Sequence, residues 1–296
     1  MRAFAWFVGL LLSSLLVSAV IAYPLFELVA SIGDWPFHRV ASRIAMIVVA
    51  LELVWLCRHL NLRTKPDFGY GLPWRRFLAQ ASGWGTAGVA TAAVGAGFLL
   101  AAKLRVPAPQ FLPTAGNLTH IALVGIGSGI AVALIEETVM RGAMHTAIER
   151  ESGPWAAALL TALLFAITHL FAKASIPTAD LAWRSGFDLA VRSFAPLSHF
   201  ASILDSLLSW FVIGLVLSLT RVLTGNIAVA IGLHAGWVVV LRMLQQGTVL
   251  QTGQPFSPWV GSFDGLVGYW LLPWGACVAL GLWGLRARWV PAARSQ

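Results

Sequence analysis

The stretch IEETVMRG at residues 135–142 places two adjacent glutamates and an arginine at the end of a long apolar run. On an α-helix, Glu137 and Arg141 are four residues apart and share one face, where they can neutralise each other. Glu136 points about 100° away from that face. The spacing therefore predicts a supporting Glu137–Arg141 ion pair and a free Glu136 carboxylate, which can bind a proton, water or a cation.

Two histidines in later apolar runs can reach the level of Glu136. The first is His169 at the end of FAITH (165–169), and the second is His234 in GNIAVAIGLHAGW (225–237). Counting about 1.5 Å per residue from the intervening turns returns His169 to the level of Glu136 and brings His234 close to it. An ionisable side chain inside a membrane usually faces the interior of the helix bundle or a water-filled cavity. We therefore expect the three side chains to converge in one buried cavity.

A glutamate with two histidines supports two kinds of chemistry. In the first, Glu136 is a general base that takes a proton from a water held by His169, while His234 donates a hydrogen bond to the developing oxyanion. In the second, Glu136, His169 and His234 hold a divalent metal such as zinc. The residues alone leave both open. The chain has no HExxH or GxSxG motif, which counts against the zincin and serine mechanisms.

The composition indicates that these residues lie within a membrane. Of the 296 residues, 58% are hydrophobic and only 11% are charged, whereas soluble domains carry roughly 25% charged residues. Eight apolar runs approach or exceed the length of about 20 residues that crosses a bilayer; they cover residues 4–30, 38–57, 78–102, 119–148, 154–172, 200–220, 226–245 and 264–286. We therefore predict an all-α, polytopic membrane protein with about eight transmembrane helices, an intramembrane catalytic cavity and a single domain over residues 1–296.

The net charge of +8 is divided among loops and predicts membrane orientation, not binding to nucleic acid. The densest basic cluster is Arg58, Arg63, Lys65, Arg75 and Arg76. Placing it on the cytoplasmic side puts both termini there as well. The expected location is a multi-pass position in a membrane of the prokaryotic inner type, with the bilayer and a membrane-anchored protein or peptide as partners. The oligomeric state stays open.

Two further stretches carry a structural prediction. The segment 178–200 mixes apolar residues with charged ones, which favours an amphipathic helix at the membrane interface. The glycines of GIGSGI (125–130) favour close packing of one helix against another.

The ordered motifs EETVMR (136–141), FAITH (165–169) and TGNIAVAIGLHAGW (224–237) resemble those of the CPBP family of intramembrane proteases, the Abi or CAAX-protease group. The family pattern is EExxxR, then FxxxH, then HxxxN. Its first two parts are present in full, and the resemblance covers a catalytic core of about residues 119–245. At position 238, however, the chain has Val238 where the family has asparagine.

The resemblance implies a role for each matching residue. Glu136 and His169 would activate the water, and His234 would form part of the oxyanion hole. Glu137, Arg141 and Phe165 would support them. Because Val238 replaces the family asparagine, Trp237 or Asn226 is expected to supply a second donor if the site is active. No cofactor is required, although zinc on Glu136, His169 and His234 stays an alternative.

These observations predict an intramembrane endopeptidase that hydrolyses a peptide bond in a CAAX-like tail, a leader or a sorting tail. An inactive membrane scaffold or binding protein is the main alternative, and it is favoured by Val238. An ion or proton transporter also explains intramembrane Glu and His residues. It is disfavoured because mid-helix carboxylates elsewhere are few and no inverted repeat is evident.

Overall fold

The computed structural model describes residues 1–172, 174–251, 259–261 and 263–288, and this part of the chain is almost entirely helical. Its α-helices are α1 (Arg2–Ala30), α2 (Phe37–His59), α3 (Trp74–Ala101), α4 (Ala115–Glu137), α5 (His145–Ser152), α6 (Pro154–His169), α7 (Ser185–Phe194), α8 (Phe200–Thr224), α9 (Ala228–Gly247) and α10 (Leu271–Gly284). Two three-residue strands, β1 (Arg105–Pro107) and β2 (Thr248–Leu250), pair antiparallel. The predicted all-α fold is confirmed.

All eight predicted apolar runs contain a helix, but not all of these helices have spanning length. Within the described residues, six helical segments are long and apolar enough to cross a membrane: α1, α2, α3, the continuous segment Ala115–Ser152, α8 and α9. The helices α6 and α10 are apolar but shorter, with 16 and 14 residues. In the predicted run 154–172 the helix ends at His169, and in the run 264–286 the helix begins only at Leu271. The chain is an integral membrane protein.

A π-helical segment, Thr138–Met144, lies within the run 119–148 that was predicted to cross the membrane. It joins α4 to α5 directly after Glu137, so Ala115–Ser152 is one continuous helix with a widened turn in its middle. A π turn lets side chains rotate out of the regular 3.6-residue register, and such turns frequently occur at functional sites. The motif EETVMR lies across the start of this segment.

Local residues determine where the helices of the site begin and end. Gly153 has a φ of 82°, a value that glycine adopts readily, and Pro154 follows it as the first residue of α6, a favoured position for proline. Gly225 ends α8 in the left-handed region. The side chain of Asn226 then accepts a hydrogen bond of 2.9 Å from the Ala228 backbone N–H, one of the N–H groups at the start of α9 that have no partner within the helix.

The helix α9 packs between α3 and α4, α6 packs on α8, and α1 packs on α2 and α7. Close approach of α9 to its neighbours depends on glycines, as predicted for GIGSGI. A Cβ on Gly129 would lie 2.8 Å from the carbonyl oxygen of Ala235, whereas a Cβ on Gly127 would meet nothing within 4 Å. The largest buried core surrounds Phe165, Leu217 and Leu233, next to the candidate site.

Contacts at one end of the bundle bring distant parts of the chain together. The N-terminal amine lies 2.7 Å from the Glu151 carboxylate. Arg150 binds Asp67 in the loop after α2 at 2.6 Å. The ring of Trp283, at the end of α10, lies 6.3 Å from Trp155 at the start of α6. The start of α1, the basic loop after α2 and the end of α10 therefore lie at the same end of the bundle.

Candidate active site

The centre of the site is a buried cluster formed by Glu137, Arg141 and His234. Arg141 Nη1 donates to Glu137 Oε1 at 3.0 Å, as the spacing predicted, and Arg141 Nη2 donates to the backbone oxygen of Gly214 on α8 at 2.9 Å. His234 Nδ1 lies 2.8 Å from the same Oε1. The Glu137 and Arg141 side chains are completely buried. One carboxylate therefore joins the π segment to α9, while its arginine joins the segment to α8.

Glu136 and His169 form the more accessible half of the site. Glu136 Oε2 lies 3.9 Å from His169 Nε2, and the two side chains are 33% and 23% exposed. The Oε2 atom itself is buried and has no hydrogen-bond partner among the described residues. Counting along the helices correctly placed these two side chains at one level. His234 also reaches the cluster, but its partner is Glu137 and not Glu136. Each of the two glutamates therefore faces one histidine.

The tautomer of His169 follows from its other nitrogen. Nδ1 lies 2.8 Å from the backbone oxygen of Phe165, and a carbonyl only accepts, so Nδ1 carries the proton. In the neutral ring Nε2 is then an acceptor, and it faces the acceptor oxygen of Glu136 across 3.9 Å. Two acceptors facing each other need a donor between them. A water that donates one hydrogen to each would satisfy both.

Aromatic rings enclose these polar groups. The Phe165 ring lies 4.1 Å from the His169 ring and 6.2 Å from the His234 ring, and the Arg141 guanidinium lies 4.5 Å above its centroid. Trp210 on α8 also packs against His169, with ring centroids 4.1 Å apart, and its ring lies 6.0 Å from that of Phe165. Its Nε1 is buried and has no partner among the described residues. Trp210 was not among the residues predicted from the sequence, although its position in the middle of an apolar run, and not at a helix end, was a usable signal.

A loop after α2 supports the π segment from outside the cluster. Thr138 Oγ1 donates to the Leu134 backbone oxygen, and the Tyr70 hydroxyl lies 2.6 Å from the same Oγ1 and donates to it. Gly142 packs directly on the Phe68 backbone, where a Cβ would lie 2.6 Å from the carbonyl oxygen. The loop therefore fixes the segment that carries Arg141.

The two residues expected to replace the family asparagine have hydrogen-bond partners within the protein. Trp237 Nε1 donates to Thr91 on α3 at 3.0 Å, so its indole N–H is used in helix packing. Asn226 uses both ends of its amide locally, at the Thr224 backbone oxygen and the Ala228 N–H. The single N–H of Trp237 is therefore already used, and one of the two Nδ2 hydrogens of Asn226 is used as well.

The residues predicted for the alternative zinc site are not arranged as a set of metal ligands. In the described ranges, no group of three or more His, Cys, Asp or Glu side chains is arranged to hold a metal ion. Glu136 and His169 face each other, but His234 directs Nδ1 to Glu137 Oε1. These side chains therefore do not form the ligand set that the zinc alternative requires.

The fold and this cluster define a polytopic helical membrane protein with a Glu/His site between its helices. Residues 118–240 match a family model described as Type II CAAX prenyl endopeptidase Rce1-like. The match contains Glu136, Glu137, Arg141, His169 and His234, and it confirms the predicted CAAX-protease-like resemblance over this segment. No curated protein and no solved structure was found to match the chain.

Proposed function

We propose that the protein is an intramembrane endopeptidase that uses a water activated by Glu136 and His169. The observation that supports this most is the 3.9 Å separation of Glu136 Oε2 from His169 Nε2, combined with the His169 tautomer. A water donating to both acceptors has its oxygen lone pairs free. That oxygen can attack a peptide carbonyl carbon from the exposed side of the two residues.

The proposed reaction needs only the groups of the chain, water and the peptide. As the water oxygen bonds to the carbonyl carbon, Glu136 takes a proton from it. The tetrahedral intermediate then collapses, the C–N bond breaks, and the proton held by Glu136 passes to the leaving amine. The products are a new carboxyl end and a new amino end.

His234 is the proposed oxyanion donor. Its Nδ1–H donates to Glu137 Oε1 at 2.8 Å, so Nε2 carries a hydrogen only in the imidazolium form. The Glu137 carboxylate fixes the orientation of the ring, and in the imidazolium form it is shared by two cations, His234 and Arg141. A preorganised donor of this kind commonly contributes about 3 to 4 kcal/mol to stabilisation of the transition state.

The proposed substrate is a membrane-anchored protein or peptide, such as a CAAX-like tail, a leader or a sorting tail. The matching family is a family of CAAX-type proteases, and the accessible carboxylate lies on a helix apolar and long enough to span a membrane. Both described ends of the chain lie at the end of the bundle that carries the basic loop. By the positive-inside rule we place that end in the cytoplasm, in a membrane of the prokaryotic inner type.

A scaffold without activity is the second candidate, and position 238 favours it. Val238 lies one turn after His234 and brings no polar group. A scaffold would retain the buried Glu137–Arg141–His234 cluster for stability alone. It would not require the Glu136–His169 pair.

The test is cleavage of tagged, membrane-anchored candidate tails co-expressed with the parent chain, followed by mass spectrometry of the fragments. We expect Glu136→Gln and His169→Gln to abolish a fragment that the parent produces. His120→Gln serves as the matched control because it changes an exposed histidine of α4 outside the site. If Glu136→Gln cleaves at the parental rate, the catalytic assignment is wrong.

A further inference from the structure

A cavity of about 640 Å³ lies beside the end of α2, and none of the candidate active-site residues lines it. It is lined by Leu53, Val54, Cys57, Arg58, Leu62, Arg63 and Phe68. The volume is within the usual range of small-molecule sites, roughly 300–1,000 Å³. The cavity therefore has room for a ligand.

One wall of the cavity is apolar and belongs to a membrane-spanning helix. Leu53, Val54 and Cys57 lie on the last two turns of α2, which is long and apolar enough to cross a bilayer. Val54 is 52% exposed although it is apolar. The wall thus offers hydrocarbon surface at the point where the helix leaves the membrane.

The rim of the same cavity carries positive charge that the protein does not neutralise. The side chains of Arg58 and Arg63 are exposed, and within the described ranges neither guanidinium makes a hydrogen bond or an ion pair. No acidic residue lines the cavity. Asp67, the nearest acid in the loop, uses its two oxygens on Arg150 and on the backbone of Arg63 and Thr64.

Aromatic residues place this region at the membrane surface. Trp55 lies one turn before His59 and stacks on it with an interplanar angle of 6°, and Trp6 lies 5.8 Å from Trp55. Trp55 is nevertheless 56% exposed. Exposed tryptophans near helix ends are typical of the interface between headgroups and hydrocarbon.

From these observations we propose that the cavity binds an anionic phospholipid. Its phosphate would lie between the Arg58 and Arg63 guanidiniums, which form charge-assisted hydrogen bonds with phosphate oxygens. Its acyl chain would lie along Leu53 and Val54. Free phosphate would leave this apolar wall unused, and a zwitterionic lipid would gain less from two unpaired cations.

The test is native mass spectrometry of the purified full-length protein with phosphatidylglycerol, phosphatidylcholine or glycerol phosphate added. Three variants are compared with the parent: Arg58→Gln/Arg63→Gln, Val54→Trp, and Arg75→Gln/Arg76→Gln. The last is the matched control, because it removes the same charge from the exposed start of α3, outside the cavity. Val54→Trp fills the apolar wall without a change in charge.

We expect phosphatidylglycerol to bind the parent and the control equally and to bind Arg58→Gln/Arg63→Gln roughly tenfold to thirtyfold more weakly, on the scale of two juxtamembrane cations. Val54→Trp is expected to weaken phosphatidylglycerol binding by several fold. Equal losses in the cavity and control double variants, or no loss in Val54→Trp, would show diffuse charge attraction and overturn the proposal. Equal retention of glycerol phosphate and phosphatidylglycerol would also overturn it, because the site would then bind free phosphate.

Discussion

Glu137 Oε1 accepts from both Arg141 and His234, at 3.0 and 2.8 Å, inside a bundle where both the carboxylate and the guanidinium are completely buried. The adjacent Glu136 has a different environment, one-third exposed and 3.9 Å from His169. The two neighbouring glutamates thus have separate environments. Glu137 holds the cluster together, and in the proposed reaction Glu136 is the residue that transfers the proton.

This division predicts different consequences for two conservative variants. Glu137→Gln leaves the buried Arg141 charge without its counter-ion, and loss of one partner of a buried pair commonly costs about 3 to 5 kcal/mol. Glu136→Gln removes no ion-pair partner of Arg141, so this variant is expected to unfold at a temperature close to that of the parent. Thermal unfolding of both purified proteins in detergent measures the difference, and cleavage activity is expected to be lost in both. Equal thermal stabilities would contradict the supporting role of Glu137.

Trp210 is predicted to position His169 through its ring. The two rings lie 4.1 Å apart with an interplanar angle of 32°, and aromatic pairs of this kind contribute roughly 0.5 to 1.5 kcal/mol. Trp210→Leu is expected to lower kcat about tenfold with little change in KM, because His169 loses its support and the substrate keeps its contacts. Trp210→Phe keeps a ring and should restore most of kcat.

The same pair of variants separates positioning from hydrogen bonding. Trp210 Nε1 is a buried donor without a partner among the described residues. If Trp210→Phe is as slow as Trp210→Leu, the indole N–H takes part in the reaction and the stacking explanation is wrong. If neither variant changes kcat, Trp210 has no part in catalysis.

The contacts that sequence predicted correctly depend on spacing along one helix or on counting from a turn. The Glu137–Arg141 pair follows from residues four apart, and the common level of Glu136 and His169 follows from the fixed rise per residue. The apolar runs and the amphipathic α7 follow from hydrophobic pattern in the same way. Each of these is a local property of the chain.

The parts that were not predicted depend on how helices rotate against one another. Pairing of His234 with Glu137 instead of Glu136 is decided by the rotation of α9 and by the π segment after Glu137. Neither the rotation of α9 nor the π segment can be inferred from residue spacing. Trp237 was a candidate donor because it lies three residues after His234 in the same helix, but its N–H donates to Thr91 on α3, and the partner on a neighbouring helix cannot be inferred from spacing.

Asp67 is predicted to stabilise the loop that supports the π segment in a pH-dependent way. Burial acts to raise the pKa of Asp67, but the backbone N–H groups of Thr64 and Arg63 and the Arg150 guanidinium outweigh it, so the pKa lies below its ordinary value. A lowered folded-state pKa contributes stability above the unfolded pKa of about 3.9 and loses it as pH falls through the folded pKa. Asp67→Asn is therefore expected to cost about 1 to 2 kcal/mol at neutral pH.

The pH dependence distinguishes this charge effect from a change of shape. The stability gap between the parent and Asp67→Asn should be constant near neutral pH and should narrow as pH falls below about 4. Asp188→Asn is the control, because its partner Arg184 is exposed and such pairs contribute about 0 to 1 kcal/mol. Thermal unfolding over a pH series measures both gaps. A gap for Asp67→Asn that does not narrow would point to packing of the loop and not to the carboxylate charge.

Gly129 and Gly127, two residues apart in α4, are predicted to respond in opposite directions to alanine. A Cβ at Gly129 would lie 2.8 Å from the carbonyl oxygen of Ala235, the residue after His234, whereas a Cβ at Gly127 would meet nothing within 4 Å. Gly129→Ala must therefore push α9 away, at a cost of about 1 to 3 kcal/mol, and it should displace His234 and lower activity. Gly127→Ala is expected to gain up to about 1 kcal/mol because alanine favours the helix. Thermal unfolding and cleavage rates of the two variants test this, and a Gly129→Ala protein as stable and active as Gly127→Ala would show that contact between α4 and α9 does not position His234.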